Sequence, residues 1–505
     1  MKILLDTNII VHREASRVIN EEIGQLFNWI DKLHYIKCVH PLTMEELKKH
    51  LDPGIAKSMA IKISSYNVLK TESALNPEIE IISKEFDKTE NDKNDSKLLN
   101  ELYNGRVDCL ITEDKKILEK ALKLGLKDSV FTIDTFLEKI LSENPALVDY
   151  KVLAVRKEYF GNIDLKSSFF DSFREEYADF DKWFRKKSDE IAYVCRYGKE
   201  IGAFLYLKVE EKNENYSDID PPFKPKRRLK VGTFKISLYG LHLGERFLKI
   251  IFDNALKQKV DEIYITIFDK HPGQKLLIRL LNQFGFVPWG LKDTPTGKEQ
   301  VFVRDFRHYA DKTNPKSTFP FLPKNTNVFF VSIYPKYHTE LFPDSILRTE
   351  SSLDYVENAP HRNAIIKEYI SHSFERDIKK GDLLIFYRTG GYYQGVVSTI
   401  AIVDSVIDNI ESEHEFINIC QKQKRTVLTD KELKEFWNRY QNLKPFVVNL
   451  LYVYALPNRP NLKRLIEIGV IKGIDQIPRG FGKISLDELK IILKDSEGDE
   501  SIISN

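Results

Sequence analysis

A chain of 505 residues is too long for one hydrophobic core, so about three domains of ordinary size are expected. With 42% hydrophobic and 30% charged residues it has a soluble globular composition, and a net charge of +2 excludes a global basic field, leaving only local patches for nucleic acid. Four scattered cysteines without a CxxC pair exclude a disulfide framework and argue against a zinc site, and no run reaches the ~18 apolar residues of a membrane span, so a cytoplasmic protein is expected.

The first segment, to residue 147, alternates strand-like runs (KILL, YIKCVH, CLIT, SVFTI) with helical runs at 22–33, 44–50, 96–103 and 115–124. That order predicts a parallel sheet covered by helices. Asp6 and Asp114 lie just past the short apolar runs around Leu5 and Ile111. Carboxylates at the carboxyl ends of parallel strands meet in the crevice where open α/β sheets bind ligands. Glu46, in TMEEL, is expected to open a helix, and Asp95, in NDSKLL, to cap the next one. Helix capping alone would account for Asp95 and Asp114. Four anions gathered at one crevice, however, need a positive partner, and a divalent metal is the usual one.

DTN after an N-terminal apolar strand, a mid-domain EEL, an Asp-led helix and VDCLITED together resemble a PIN-domain ribonuclease over residues 1–147. The resemblance implies Mg²⁺- or Mn²⁺-dependent cleavage of RNA phosphodiesters, with Asp6, Glu46, Asp95 and Asp114 as catalytic residues and metal ligands. Thr7 or Asn8 and Thr112 would support them, and Asp108 occupies the acidic position before the last strand of the motif. Glu45 and Asp92 are neighbours that could take the places of Glu46 and Asp95.

The second segment, 148–310, starts with VLAVRKEYF and holds a hairpin, IAYVCRYGKEIGAFLYLKV, turning at Tyr197-Gly198-Lys199-Glu200. A strand over 229–237, a glycine-bearing turn, helix 245–258, strand 262–268 and helix 274–284 follow. This order, with the closing GF, resembles a GCN5-related N-acetyltransferase (GNAT), an α+β fold that implies acetyl-CoA as cofactor. The pyrophosphate loop would be Gly240, Leu241, His242, Leu243, Gly244 and Glu245. The resemblance has gaps: His242 stands where the family's middle glycine belongs, and Leu281 falls where its acidic tyrosine belongs. Lys224, Lys226, Arg227 and Arg228 are candidate phosphate contacts.

Residues 308–326, with three prolines and little periodicity, are expected to be a linker, and the acidic tail DSEGDESIISN to fray. From 327 to 505, the SIYPKY strand end, the Arg348/Glu350 pair and the KGDLLIFY strand resemble an ASCH-type, PUA-like β-barrel with helices. The resemblance implies RNA binding. Tyr334, Tyr337, Tyr387, Arg388, Tyr392 and Tyr393 form an aromatic and basic set able to stack on exposed bases, although packing inside the barrel explains most single tyrosines. Lys422, Lys424 and Arg425 are further phosphate candidates.

The expected whole is a multidomain α/β protein: a PIN-like nuclease, a GNAT-like middle domain and an RNA-gripping barrel. The expected activity is metal-dependent endoribonucleolysis of tRNA or another structured RNA, in a toxin or defence setting with a cognate antitoxin protein and no membrane. A second reading makes the middle domain the enzyme, acetylating RNA or protein. A third makes the chain a non-catalytic, acetyl-CoA-sensing RNA-binding protein.

Overall fold

In a computed structural model, every residue is described except 15–20, 51–60, 62, 128, 144–154, 308, 346–358, 391–394, 424 and 505. The expected candidates Arg348, Glu350, Tyr392, Tyr393 and Lys424 lie outside the described residues. The chain forms two compact units, Met1–Asp149 and Tyr150–Asn505.

The first unit is built on β1 (Lys2–Leu5), β2 (Ile36–Val39), β3 (Asn67–Val68), β4 (Cys109–Ile111) and β5 (Val130–Phe131). They form one parallel sheet in the order β3-β2-β1-β4-β5. The strands are short and apolar because helices bury both faces, and Ile3, Leu4, Leu5, Leu110 and Ile111 are fully enclosed. The chain first builds outward from β1 on one side and then returns to its other side as β4. The point where strand order reverses therefore lies beside β1, as expected for a ligand crevice.

Two helices depart from expectation. The Pro41–His50 helix starts upstream of Glu46, so Glu46 sits within it. The Glu90–Tyr103 helix is capped by Thr89 and Asp92 in a reciprocal capping box, so Asp95 lies inside the helix and caps nothing. Asp114 does cap the Lys115–Lys123 helix, accepting from the amides of Lys116 and Ile117.

In the second unit β6 (Val155–Tyr159), β7 (Ile191–Tyr197), β8 (Glu200–Glu210), β9 (Ile219–Asp220), β10 (Arg228–Ile236), β11 (Glu262–Ile267), β12 (Val287–Thr294) and β13 (Gly297–Asp305) make one sheet. Its order is β6-β7-β8-β10-β11-β13-β12-β9. The β7–β8 hairpin forms where expected, with Gly198 at φ +59° in its turn. β10 and β11 are parallel, joined through the Leu243–Gln258 helix, and pair only from Arg228 to Val231 on β10.

The remaining strands are β14 (Leu322–Pro323), β15 (Val328–Ile333), β16 (Ile366–Ser371), β17 (Leu383–Arg388), β18 (Val396–Ile407), β19 (Phe446–Ala455), β20 (Phe481–Ile484) and β21 (Ile503–Ser504). Six of them form a mixed sheet ordered β16-β19-β18-β17-β15-β20. It curls until the rings of Tyr369 and Phe481, on its two outer strands, stand 5.8 Å apart. The expected linker is instead packed: Phe319, Phe321 and Leu322 are buried, and β14 pairs with β21. The tail is correspondingly fixed, with Ile502 buried and Ile503 opposite Leu322.

Candidate functional site

Asp6 and Thr112 follow neighbouring parallel strands whose last residues, Leu5 and Ile111, are in register. The Asp6 amide donates to the Ile111 carbonyl at 3.1 Å, which brings both side chains to the same sheet end. There the Thr112 hydroxyl donates to Asp6 Oδ2 at 2.7 Å and accepts from the Asp114 amide at 3.0 Å. One hydroxyl thus ties the two acidic positions together. Glu46 reaches the same neighbourhood from its helix: Thr7 Oγ1 donates to one carboxylate oxygen at 2.6 Å and Asn94 Nδ2 to the other at 2.8 Å.

The acidic groups also act on one another electrostatically. Burial raises the Asp6 carboxyl above its ordinary range, and Asp114 and Glu46 push it the same way against the Thr112 hydrogen bond. Burial, then the negative charges of Asp114 and Asp6, lifts Asp95 to about 7. The nearest lysines are already engaged. Lys116 bonds Asp92 at 2.6 Å, and the buried Lys120 ammonium bonds Asp87 at 2.5 Å, Ser96 at 3.0 Å and the Asp92 carbonyl at 2.7 Å. Asp92, offered as a substitute for Asp95, is committed to Lys116 and its capping box, which hold it well below the usual carboxylate range.

Among the described residues no three His, Cys, Asp or Glu side chains close into a ready-made cage for a metal. The donor set nevertheless fits a hard divalent ion. Its oxygens are carboxylates, two are raised by crowding and burial, and Mg²⁺ binds through few carboxylates while keeping its waters. Asn94 and Lys120 were not anticipated from sequence. Asn94 immediately precedes Asp95, and the nearest cue to it was that adjacency.

The middle segment's glycine-bearing loop does not suit acyl-CoA. His242 adopts the left-handed region at φ +52°, and Leu241, His242, Leu243 and Glu245 are buried under other parts of the same unit. The Arg425 guanidinium grips Glu245 through bonds of 2.7 and 3.0 Å, and the amides of Ile365 and Ile366 donate to the same carboxylate at 2.8 and 3.0 Å. His242 Nε2 lies 3.0 Å from the Gln423 carbonyl. One turn on, Arg246 bonds Asp344 through both terminal nitrogens at 2.6 and 2.7 Å. A diphosphate at this helix end would meet a buried carboxylate, the wrong sign of charge, and of the expected cofactor residues Gly240 to Glu245, His242 and Glu245 are taken up in an internal joint.

The RNA candidates divide. Arg425, only 6% exposed, belongs to that joint and is withdrawn as a phosphate contact. Tyr387 is buried and stacks on Phe330 at 5.5 Å, the packing role. Tyr334 is well exposed, Tyr337 is half-buried and bonds Glu432, Arg388 closes β17, and Lys422 caps the Glu413–Gln421 helix. The 224–228 basic run is largely consumed internally: Arg228 and Lys226 pair with Glu262, and Arg227 with Glu211.

Comparison with known proteins gives three findings. No curated protein matches the chain. Among solved structures, the ASCH protein ZmASCH of Zymomonas mobilis aligns at 11% identity and TM-score 0.24, over 34% of this chain and 98% of its own. An IAA acetyltransferase of Bacillus cereus aligns at 9% identity and TM-score 0.22, over 30% and 99%. A GNAT family acetyltransferase of Elizabethkingia anophelis, with acetyl-CoA bound, aligns at 9% and 0.22, over 30% and 97%. The sequence of residues 2–116, which carries the whole acidic site, matches the PIN domain family, a nuclease-type fold.

Proposed function

We propose that the first unit hydrolyses RNA phosphodiesters, using Asp6, Glu46, Asp95 and Asp114 to hold Mg²⁺ or Mn²⁺. The observation that carries this reading is the Asp6–Thr112–Asp114 link across the carboxyl ends of β1 and β4. When bound, such an ion supplies an activated water near neutral pH and stabilises the leaving oxygen.

The chain's own residues do the positioning. Thr112 fixes one Asp6 oxygen, and the Thr7 backbone also bonds the carboxylate. Thr7 and Asn94 hold Glu46 between two helices, so its carboxylate does not have to be ordered when substrate arrives. Asp95, its pKa lifted to about 7 by burial and the neighbouring acids, would hold the ion as a carboxylate after losing its proton. The substrate class, tRNA or another structured RNA, belongs to the same proposal. Acetyl transfer in the middle segment has no comparable support, since Glu245 fills the helix end and Leu281 is buried and apolar.

The test is incubation of the purified full chain with total RNA and Mn²⁺, with and without chelator, beside Asp6→Asn. Chelator-sensitive cleavage lost in the variant supports the assignment. Equal cleavage by both proteins refutes it.

A further inference from the structure

The second unit carries an aromatic and cationic surface that none of the candidates above includes. The His372 ring lies on Phe436 at 5.2 Å between centroids, with the planes 22° apart, and meets the edge of Tyr440 at 5.0 Å. Tyr440 is 46% exposed, and Phe374, two residues beyond His372, is 88% exposed. A single exposed phenylalanine needs no explanation. This one sits on a pinned loop: Ser373 Oγ accepts from the amides of Glu375 at 3.2 Å and Phe481 at 3.4 Å, and Ser371 Oγ accepts from the Ser373 amide at 3.0 Å. An apolar ring is therefore held out in water by an ordered backbone.

Three cations border these rings. Arg439 lies 5.7 Å from the Tyr440 ring, Lys444 lies 4.6 Å from Trp437, and Arg376 covers Phe446 at 4.2 Å while bonding the Lys444 carbonyl at 2.6 Å. Burial lowers the His372 pKa, and Arg439, Arg376 and Lys444 act the same way against a hydrogen bond with the Phe436 backbone. Of the nearby acids, Asp377 pairs with Lys379 at 2.8 Å, Glu375 lies 4.0 Å from Lys483, and Asp408 acts on Arg376.

Exposed rings interleaved with guanidinium and ammonium groups suit a ligand that is both polyanionic and built of flat rings. A folded protein partner supplies the first property or the second, whereas an unpaired nucleotide strand supplies both along its length. We infer that the surface formed by Phe374, Tyr440 and Arg439, backed by Arg376 and Lys444, binds single-stranded RNA by stacking its bases. The choice of RNA rests on the hydrolytic reading of the first unit; the stacking itself does not.

The test is fluorescence anisotropy of a labelled 12-nucleotide RNA on the full-length Asp6→Asn protein in chelator, so binding is read without cleavage. Phe374→Ala and Tyr440→Ala, both at exposed positions, are each expected to weaken binding about tenfold. Arg439→Gln is expected to weaken it less and to flatten the dependence on salt. Binding unchanged in the Phe374→Ala/Tyr440→Ala double variant overturns the proposal. So does equal affinity for inorganic polyphosphate, which has charge but no bases, and so does concentration-dependent self-association abolished by the double variant, which would mark a protein interface. Tighter binding of the DNA strand of the same sequence overturns the choice of RNA, independently of whether the first unit cuts.

Discussion

The Thr112 hydroxyl donates to Asp6 across two adjacent parallel strands and at the same time receives the Asp114 amide. Both bonds go to protein groups, so its part is to aim one carboxylate and fix the turn that carries the other. Thr112→Val keeps the shape and removes both bonds. Cleavage should fall about 10- to 100-fold, with a higher Mn²⁺ concentration at half-maximal rate, because the Asp6 carboxyl loses the bond that lowers its pKa. A metal titration of the initial rate checks this, and an unchanged titration would make Thr112 merely structural.

Asn94→Ala frees one oxygen of Glu46 while Thr7 still holds the other. A partial loss, about tenfold in kcat, is expected, with little change in thermal stability. Circular dichroism melts run beside the cleavage assay separate the two effects.

The Glu245–Arg425 joint makes a stability prediction. Arg425→Ala leaves a buried carboxylate with two amides and the His242 ring but no guanidinium, and should cost about 3–5 kcal/mol. Replacing both partners, Glu245→Leu with Arg425→Met, should cost clearly less, since no charge is left stranded. Urea unfolding followed by tryptophan fluorescence reads both.

His338 is fully buried with Nε2 at 2.6 Å from Ser398 Oγ, and burial, then Arg388 and Arg459, lowers its pKa from 6.5 to about 3. The folded protein keeps it neutral while the unfolded chain takes up a proton. Stability of the second unit should therefore be complete above pH 6.5 and fall by about 1.4 kcal/mol per pH unit as pH drops toward 3. Urea midpoints between pH 7 and 5 in wild type and His338→Gln measure that slope, which the variant should lack.

Glu368 works in the opposite sense. Burial raises its pKa from 4.5 to about 8, with Arg425 only partly opposing it. Its folded form stays protonated while the unfolded chain ionises, so its contribution is complete below 4.5 and is lost as pH rises to about 8. Glu368→Gln should raise the urea midpoint at pH 8 relative to wild type and leave it nearly unchanged at pH 4.5.

The parts legible in sequence were those whose cause is local. β1 and β4 announce themselves as short apolar runs ending in Asp6 and in Thr112 with Asp114, and the Gly198 hairpin as two apolar runs around a turn. Asp95 was misplaced because the apolar pattern of its helix starts only at Leu98, whereas the Thr89–Asp92 box begins the helix in an entirely polar turn. The glycine-bearing loop read as an anion site because its occluding partner, Arg425, lies 180 residues away, beyond any periodic or spacing argument. The proline-rich 308–326 stretch read as a linker on composition, although Phe319 and Phe321 already marked it for burial.

The Arg425 clasp on Glu245 also decides where this polypeptide can be taken apart. A graft or truncation near residue 149 follows the boundary between compact units, whereas a cut at 310 would strand one acid on one fragment and its base on the other. Anyone transplanting the C-terminal sheet into a different host protein inherits an obligation to bring the β6–β13 sheet and its Leu243–Gln258 helix along.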